Sequence, residues 1–264
     1  MSQALTHVFF RNDDAADDLA GLAELGRVFA ERGLPLAHSV IPSRLSPPVA
    51  DWLRDQAVHE QMVIQHGWDH VWRERGEFGG KRTGIKQLAD ILRGKEILES
   101  AFGPQFFPAM AFPWHLYSDS SLWAIAQAGF SVVSGIFRPT PTRRAFFALG
   151  RALGAQTLMG RNVSWHGGRR PDQGPWEISV SVDPVIKYAK PPQDAPHHDL
   201  AGLQNEFRAF APHSPLLGVL LHHEFYTDPA RLEVVAGFLD WLTQEPGVFV
   251  VGLGQARNLL ERQA

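Results

Sequence analysis

Short apolar runs alternate with longer amphipathic ones along the chain. Residues 6–10 (THVFF) are β-branched and aromatic, a strand composition, and run into polar Arg11-Asn12-Asp13-Asp14. From 17 to 32 the apolar residues Leu19, Leu22, Leu25, Val28 and Phe29 recur at the helical period, and Gly33 marks the stop. The same reading predicts strands over 36–41, 62–65, 106–112 and 131–136, and helices over 47–57, 84–102 and 119–128. Further strands are predicted over 177–182, 216–221 and 248–253, and helices over 198–210, 228–243 and 255–262. Strands alternating with helices indicate parallel βαβ units. Seven or eight such units in 264 residues predict one closed or nearly closed β/α barrel spanning 1–264, not two domains.

One stretch breaks the rhythm. Between Arg138 and Arg170 lie seven arginines (Arg138, Arg143, Arg144, Arg151, Arg161, Arg169, Arg170) and no acid, interrupted by prolines and glycines. It is expected to be a loop-rich insertion, at about 138–175, between barrel strands.

Charge and composition narrow the chemistry. Twenty-five basic and 28 acidic residues give a net charge of -3, which excludes a globally basic nucleic-acid binder and a highly charged disordered chain. The absence of cysteine removes disulfides, thiolate metal sites and cysteine nucleophiles together. No apolar run approaches the ~20 residues of a membrane span. The first residues lack a basic segment followed by a long apolar stretch, so a cytoplasmic protein is expected. Metal chemistry is left to the twelve histidines and the carboxylates.

Polar residues collect where the predicted strands end: Asp13-Asp14, His66-Gly67-Trp68-Asp69-His70, Pro113-Trp114-His115, Asp183-Pro184 and His222-His223-Glu224. In a β/α barrel these ends open onto one face, where active sites form. One aspartate with two histidines makes a mixed O,N,N set suited to zinc or a similar divalent ion, and three protein ligands leave a position for water. A nearby carboxylate can complete the deprotonation of that water. His115, His166, His197, His198 and His213 carry no such pattern and are read as ordinary polar or core histidines.

Taken together, these segments resemble the polysaccharide deacetylases of carbohydrate esterase family 4, the nodulation-deacetylase homology domain. FFRNDD resembles that family's strand ending in two aspartates. HGWDH resembles its histidine pair four apart, FPWH its Pro-aromatic segment, SVSVDP its post-strand aspartate, and VLLHHE its Leu-x-His strand. The resemblance implies a distorted (β/α)7-type barrel and a metal-dependent hydrolase that removes an N-acetyl group from a sugar or polysaccharide precursor. It implies one divalent metal ion, zinc before others, on Asp14, His66 and His70. Asp13 would be the base and His222 the acid, tuned by Asp183. Because Leu221-His222-His223 also fits Leu-x-His, His223 stays open as the acid.

Two departures mark a divergent member. The family's third motif carries an arginine that orients the base, and AMAFPW has none; Arg11, two residues before Asp13, is the candidate to replace it. The family's Trp four residues after the fourth-motif Asp is Lys187 here. Arg11, Pro113, Trp114 and His223 are expected to contact substrate. The arginine-rich insertion predicts an anionic substrate, a sugar carrying phosphate or pyrophosphate. The expected partner is thus a carbohydrate, with no nucleic acid and no membrane span. The alternatives are another metal-dependent C–N hydrolase on the same barrel, or an inactive carbohydrate-binding barrel.

Overall fold

The first strand runs further than its apolar residues. In the computed structural model, which describes residues 5–155, 157–158, 161–165 and 174–262, β1 spans Thr6–Ala15 and carries Arg11, Asn12 and Asp13 to buried positions. Beside it lie, in order, β2 (Leu36–Val40), β3 (Gln61–His66), β4 (Phe106–Ala111), β5 (Val132–Ser134) and β8 (Trp176–Glu177). On its other edge come β10 (Leu216–His222) and then β9 (Val180–Val182). All these pairings are parallel. β11 (Val248–Val250) pairs with Thr6–Val8, at the start of β1.

The two ends of the sheet meet. Ile136 bridges Val180, and the Val180 N–H donates to the Gly135 carbonyl at 3.1 Å. β8 and β9 therefore form one interrupted stave between β5 and β10, and the sheet curls into the expected (β/α)7-type barrel of seven staves.

Alternation decides what fills it. Phe9, Ile64, Ala109, Val132, Val180 and Leu220 form one cluster inside the barrel. Their chain neighbours Phe10, Val63, Met110, Val133 and Leu221 turn the other way, into the layers under the helices. Each such burial contributes roughly 1.5–3 kcal/mol for a Leu- or Phe-sized side chain.

The helices follow local signals. α1 (Leu19–Ala30) starts at Asp18, whose side chain accepts from Gly21 N. α2 (Pro47–Asp55) carries proline in its first turn. α3 spans Gly84–Phe102, the predicted bounds. α4 (Asp119–Gln127) opens on a capping box between Ser118 and Ser121. α6 (Leu200–Phe210) and α7 (Pro229–Gln244) are capped by Asp199 and Asp228. α8 (Leu253–Glu261) begins where the last strand was expected to end, which shortens that strand to β11.

The described residues of the insertion carry regular structure that its composition did not suggest. It contains α5 (Pro141–Ala152), capped by Thr140, and a short antiparallel hairpin of β6 (Thr157–Leu158) and β7 (Arg161–Asn162). Phe147 packs with Phe137, Val163 and Trp165 in a small separate cluster. His166, Arg169 and Arg170 lie outside the described residues, as does the side chain of Arg161. No helix among the described residues is long and apolar enough to cross a membrane.

Candidate metal centre and active site

The strand alternation that fills the barrel also builds its mouth. Arg11 and Asp13 continue the inward face of Phe9, His66 that of Ile64, and His222 that of Leu220. Asp14 is out of phase with Asp13 and would point away from an ideal strand. The β1–β2 register shifts between Asn12 and Ala15, and Asp14 takes a left-handed φ of 65°. This local distortion turns both aspartates to one cavity of about 810 Å³.

His70 arrives by a loop after β3. Gly67 has φ +60°, and a Cβ there would lie 2.4 Å from Glu77 Oε2, so only glycine fits. The loop wraps the buried Glu77 carboxylate. Glu77 Oε1 accepts from Trp68 N (2.7 Å) and Asp69 N (3.2 Å), and Oε2 accepts from His70 N (3.0 Å). Five non-glycine described residues have left-handed φ; four of them, Asp14, His70, Trp114 and His115, line the cavity. Such conformations cost roughly 1–3 kcal/mol each and persist where the surroundings dictate them.

Asp14 Oδ1 lies 3.1 Å from both His66 Nε2 and His70 Nε2. The His66 Nδ1–H donates to the Ala111 carbonyl at 2.9 Å, which leaves Nε2 facing Asp14. Burial pushes the His66 imidazole down, but Asp13 and Asp14 outweigh it and raise it above its ordinary value. Burial holds His70 down at about 4, hence neutral. Asp14 Oδ1 is buried and accepts no hydrogen bond among the described residues. Three donor atoms thus converge on one point with a proton or a cation as the only means of reconciling them. Ligands of a tetrahedral ion at about 2.0–2.1 Å stand ~3.3 Å apart, close to this spacing. The residues present fit a divalent ion.

Asp13 is held differently. Arg11 Nε and Nη2 contact its two carboxylate oxygens at 2.8 and 2.9 Å. Arg11 Nη1 donates to Ser134 O and Ser134 Oγ, each at 2.7 Å. Burial pushes the Asp13 carboxyl up, but Arg11 and the nearby histidines outweigh it and keep it below the usual carboxylate range.

Facing the triad, His222 Nε2 is 4.0 Å from Asp14 Oδ2. Its Nδ1 does not meet Asp183 directly. The Tyr188 hydroxyl lies between them, 2.9 Å from Asp183 Oδ2 and 3.1 Å from His222 Nδ1. Burial, then the charge of Asp183, raises the Tyr188 hydroxyl above its ordinary value, so it stays protonated and donates to the carboxylate.

Three substrate contacts expected from sequence are not placed at the cavity. Arg11 is fully buried beneath Asp13, where it can orient that carboxylate but touch no ligand. His223 is also buried, on the outward side of β10; its N–H donates to Asn12 Oδ1 at 2.8 Å, and His222 is the one of the pair that reaches the cavity. Pro113 is buried against Gly67. Trp114 does line the cavity, over His70 at 4.2 Å between ring centroids.

Sequence reasoning passed over His115, Tyr188 and Glu77. His115 lines the cavity, and burial followed by the charge of Arg11 lowers it to about 3. Its place directly after Trp114 was the available signal. Tyr188 follows Asp183 by five residues, with no periodicity to single it out.

No family model matches the sequence, and no curated protein matches it. Solved structures do. The chain superposes on a protein assigned as a polysaccharide deacetylase from Mycobacterium smegmatis with TM-score 0.71 and 16% identity, covering 100% of this chain and 93% of that one. A family 4 acetyl xylan esterase from Clostridium thermocellum, solved with a cobalt ion, gives TM-score 0.61 at 11% identity, covering 96% and 91%. Puue allantoinase gives 0.66 at 12%, covering 96% and 88%. The chain has the barrel fold of the polysaccharide deacetylases and family 4 esterases.

Proposed function

We propose that this protein is a metal-dependent hydrolase that removes an acetyl group from the nitrogen of an N-acetylated sugar. The observation that carries the reading is the meeting of three ligand-type atoms of Asp14, His66 and His70 beside a separately held carboxylate, Asp13. A binding barrel would have no use for the second aspartate, fixed as an anion by a buried arginine.

A divalent ion on the triad, zinc by the character of the donor set, would supply Lewis acidity to the acetyl carbonyl and acidity to water. Asp13 takes a proton from the attacking water; its lowered pKa means that it is ionised when substrate arrives. Arg11 holds both Asp13 oxygens and fixes their direction. His222 Nε2 delivers a proton to the leaving nitrogen as the C–N bond breaks, giving acetate and the free amine. Tyr188 donates to Asp183 and so offers its lone pair to the His222 Nδ1–H, which aims Nε2 into the cavity. Trp72 and Trp114, 56% and 38% exposed and in edge-to-face contact at 5.1 Å, present apolar walls for a sugar ring.

The test is acetate release from N-acetylhexosamine substrates with and without chelator and added zinc. Elemental analysis of His66→Ala accompanies it. Zinc-restored release in the wild type and loss of metal in the variant are expected; chelator-insensitive release, or full metal occupancy in the variant, refutes the metal assignment. The likeness to an allantoinase favours a second reading, hydrolysis of a different C–N bond at the same residues. Release of ammonia or another amine without acetate, across a panel of amides and ureides, would select it.

A further inference from the structure

A second cleft of about 950 Å³ continues from the catalytic cavity. The two share Trp72, Trp114, His115 and Ile136 as lining residues. The second cleft is lined by three cations, Arg75, Lys81 and Arg143, against the single carboxylate of Glu74. Arg75 and Lys81 come from the loop after β3, and Arg143 from α5 on the opposite side.

What distinguishes these cations is what they lack. In the same loop Arg73 pairs with Asp69, and Arg82 with Asp90. In the insertion Arg138 faces Glu206 at 3.8 Å, Arg144 turns to His213 at 3.2 Å, and Arg151 donates to the Ser164 carbonyl at 2.6 Å. Arg75, Lys81 and Arg143 alone of this set have no side-chain partner among the described residues. Two elements distant in sequence thus bring unpaired cations to one cleft, next to an aromatic wall that already borders the triad.

We infer that this cleft binds a phosphoryl group carried by the substrate, with the sugar ring against Trp114 and its acetyl group at the triad. Three cations against one carboxylate leave a net charge of about +2, which matches the −1.5 to −2 of a phosphate monoester better than the −1 of a carboxylate. Guanidinium forks from opposite sides suit a phosphate monoester, whose three terminal oxygens point in different directions. The sequence expectation of an anionic substrate is narrowed by this to one arginine of the described insertion, Arg143, joined by two cations outside it.

The inference rests on the reading of the barrel mouth as a deacetylase site, and its test separates the two. Binding of three probes is measured calorimetrically: an N-acetylhexosamine, its 1-phosphate, and an N-acetylhexosamine linked to a uronic acid. Wild type and the double variant Arg75→Gln/Arg143→Gln are compared, with Lys81→Gln as a milder single change at an exposed side chain. We expect the 1-phosphate to bind at least ~10-fold tighter than the neutral sugar in wild type, the equivalent of one charge-assisted contact. The advantage should shrink with salt, fall partway in Lys81→Gln and vanish in the double variant. A ratio near one in wild type, a ratio kept by the double variant, or an equal gain from the uronate each overturns the inference. Acetate release from the neutral sugar is scored separately: its absence defeats the deacetylase reading and leaves the binding ratios to decide the phosphoryl site.

Discussion

Glu77 offers the most direct check of how the candidate metal centre is held. Its side chain is fully buried and accepts three backbone N–H groups, those of Trp68, Asp69 and His70, at 2.7 to 3.2 Å. Burial pushes this carboxyl up to about 7, against the pull of those donors. Glu77→Gln preserves shape but leaves one oxygen for the three. If that oxygen keeps Trp68 and Asp69, the new amide N–H₂ faces the His70 N–H, and a buried donor is orphaned at a cost of about 1–3 kcal/mol. For a domain of this size the cost lowers Tm by about 2–4 °C per kcal/mol. The displaced group is the backbone of His70, so the triad loses its register; disruption of such an outer contact typically costs 10–100-fold in metal affinity. Thermal unfolding and zinc titration against a competing chelator measure the two effects. Glu96→Gln, on the exposed face of α3, is the control. Unchanged Tm together with zinc affinity within twofold of wild type would show that the loop does not depend on this carboxylate. Gly67→Ala should act in the same direction, because its Cβ would contact Glu77 Oε2.

Asp13→Asn keeps size and removes the proton acceptor, so acetate release should fall by ~10²–10⁴ while metal content is retained; a near-wild-type rate would place the base elsewhere. Arg11→Met leaves Asp13 buried without its partner, which should cost about 3–5 kcal/mol in chemical denaturation at pH 7; a loss below 1 kcal/mol would mean that the pair contributes little. Tyr188→Phe breaks the link between Asp183 and His222. N-acetyl amines, whose leaving group needs a proton, should slow by ~10-fold or more, and aryl acetates, whose leaving group does not, should slow much less; equal slowing of both would remove Tyr188 from the proton-donating side of the site.

Much of the barrel can be read along the chain because its signals are local. Leu19 to Phe29 carry the helical period of α1 on their own, and Asp18, Ser118, Asp199 and Asp228 cap the helices they precede. The candidate metal ligands were legible only in part. Polar residues at parallel strand ends open onto one face of a barrel. The choice of Asp14 with His66 and His70 came from the family resemblance, and Asp14 and His70 reach the cavity through a distorted strand end and a loop. Sequence left His222 and His223 open, and the structure separates them: Leu220 fills the interior, so the residue two further on faces the cavity.

The rest depended on contacts between residues far apart in sequence. Arg11 was expected both at the substrate and as the arginine that orients Asp13; it lies beneath Asp13 and holds both its oxygens, anchored to Ser134 across the barrel, 123 residues away. The helical character of Pro141–Ala152 was hidden because Phe147 finds its apolar partners in Phe137, Val163 and Trp165, outside the helix itself. Neither Glu77 nor Tyr188 belongs to a periodic pattern; each matters because a loop folds back onto a buried acceptor. Hydrophobic period and capping act over a few residues and are written in the local order of side chains. Pairing of buried charges is decided by which groups the closed barrel brings within about 3 Å and screens from water, and that selection exists only once the staves have met.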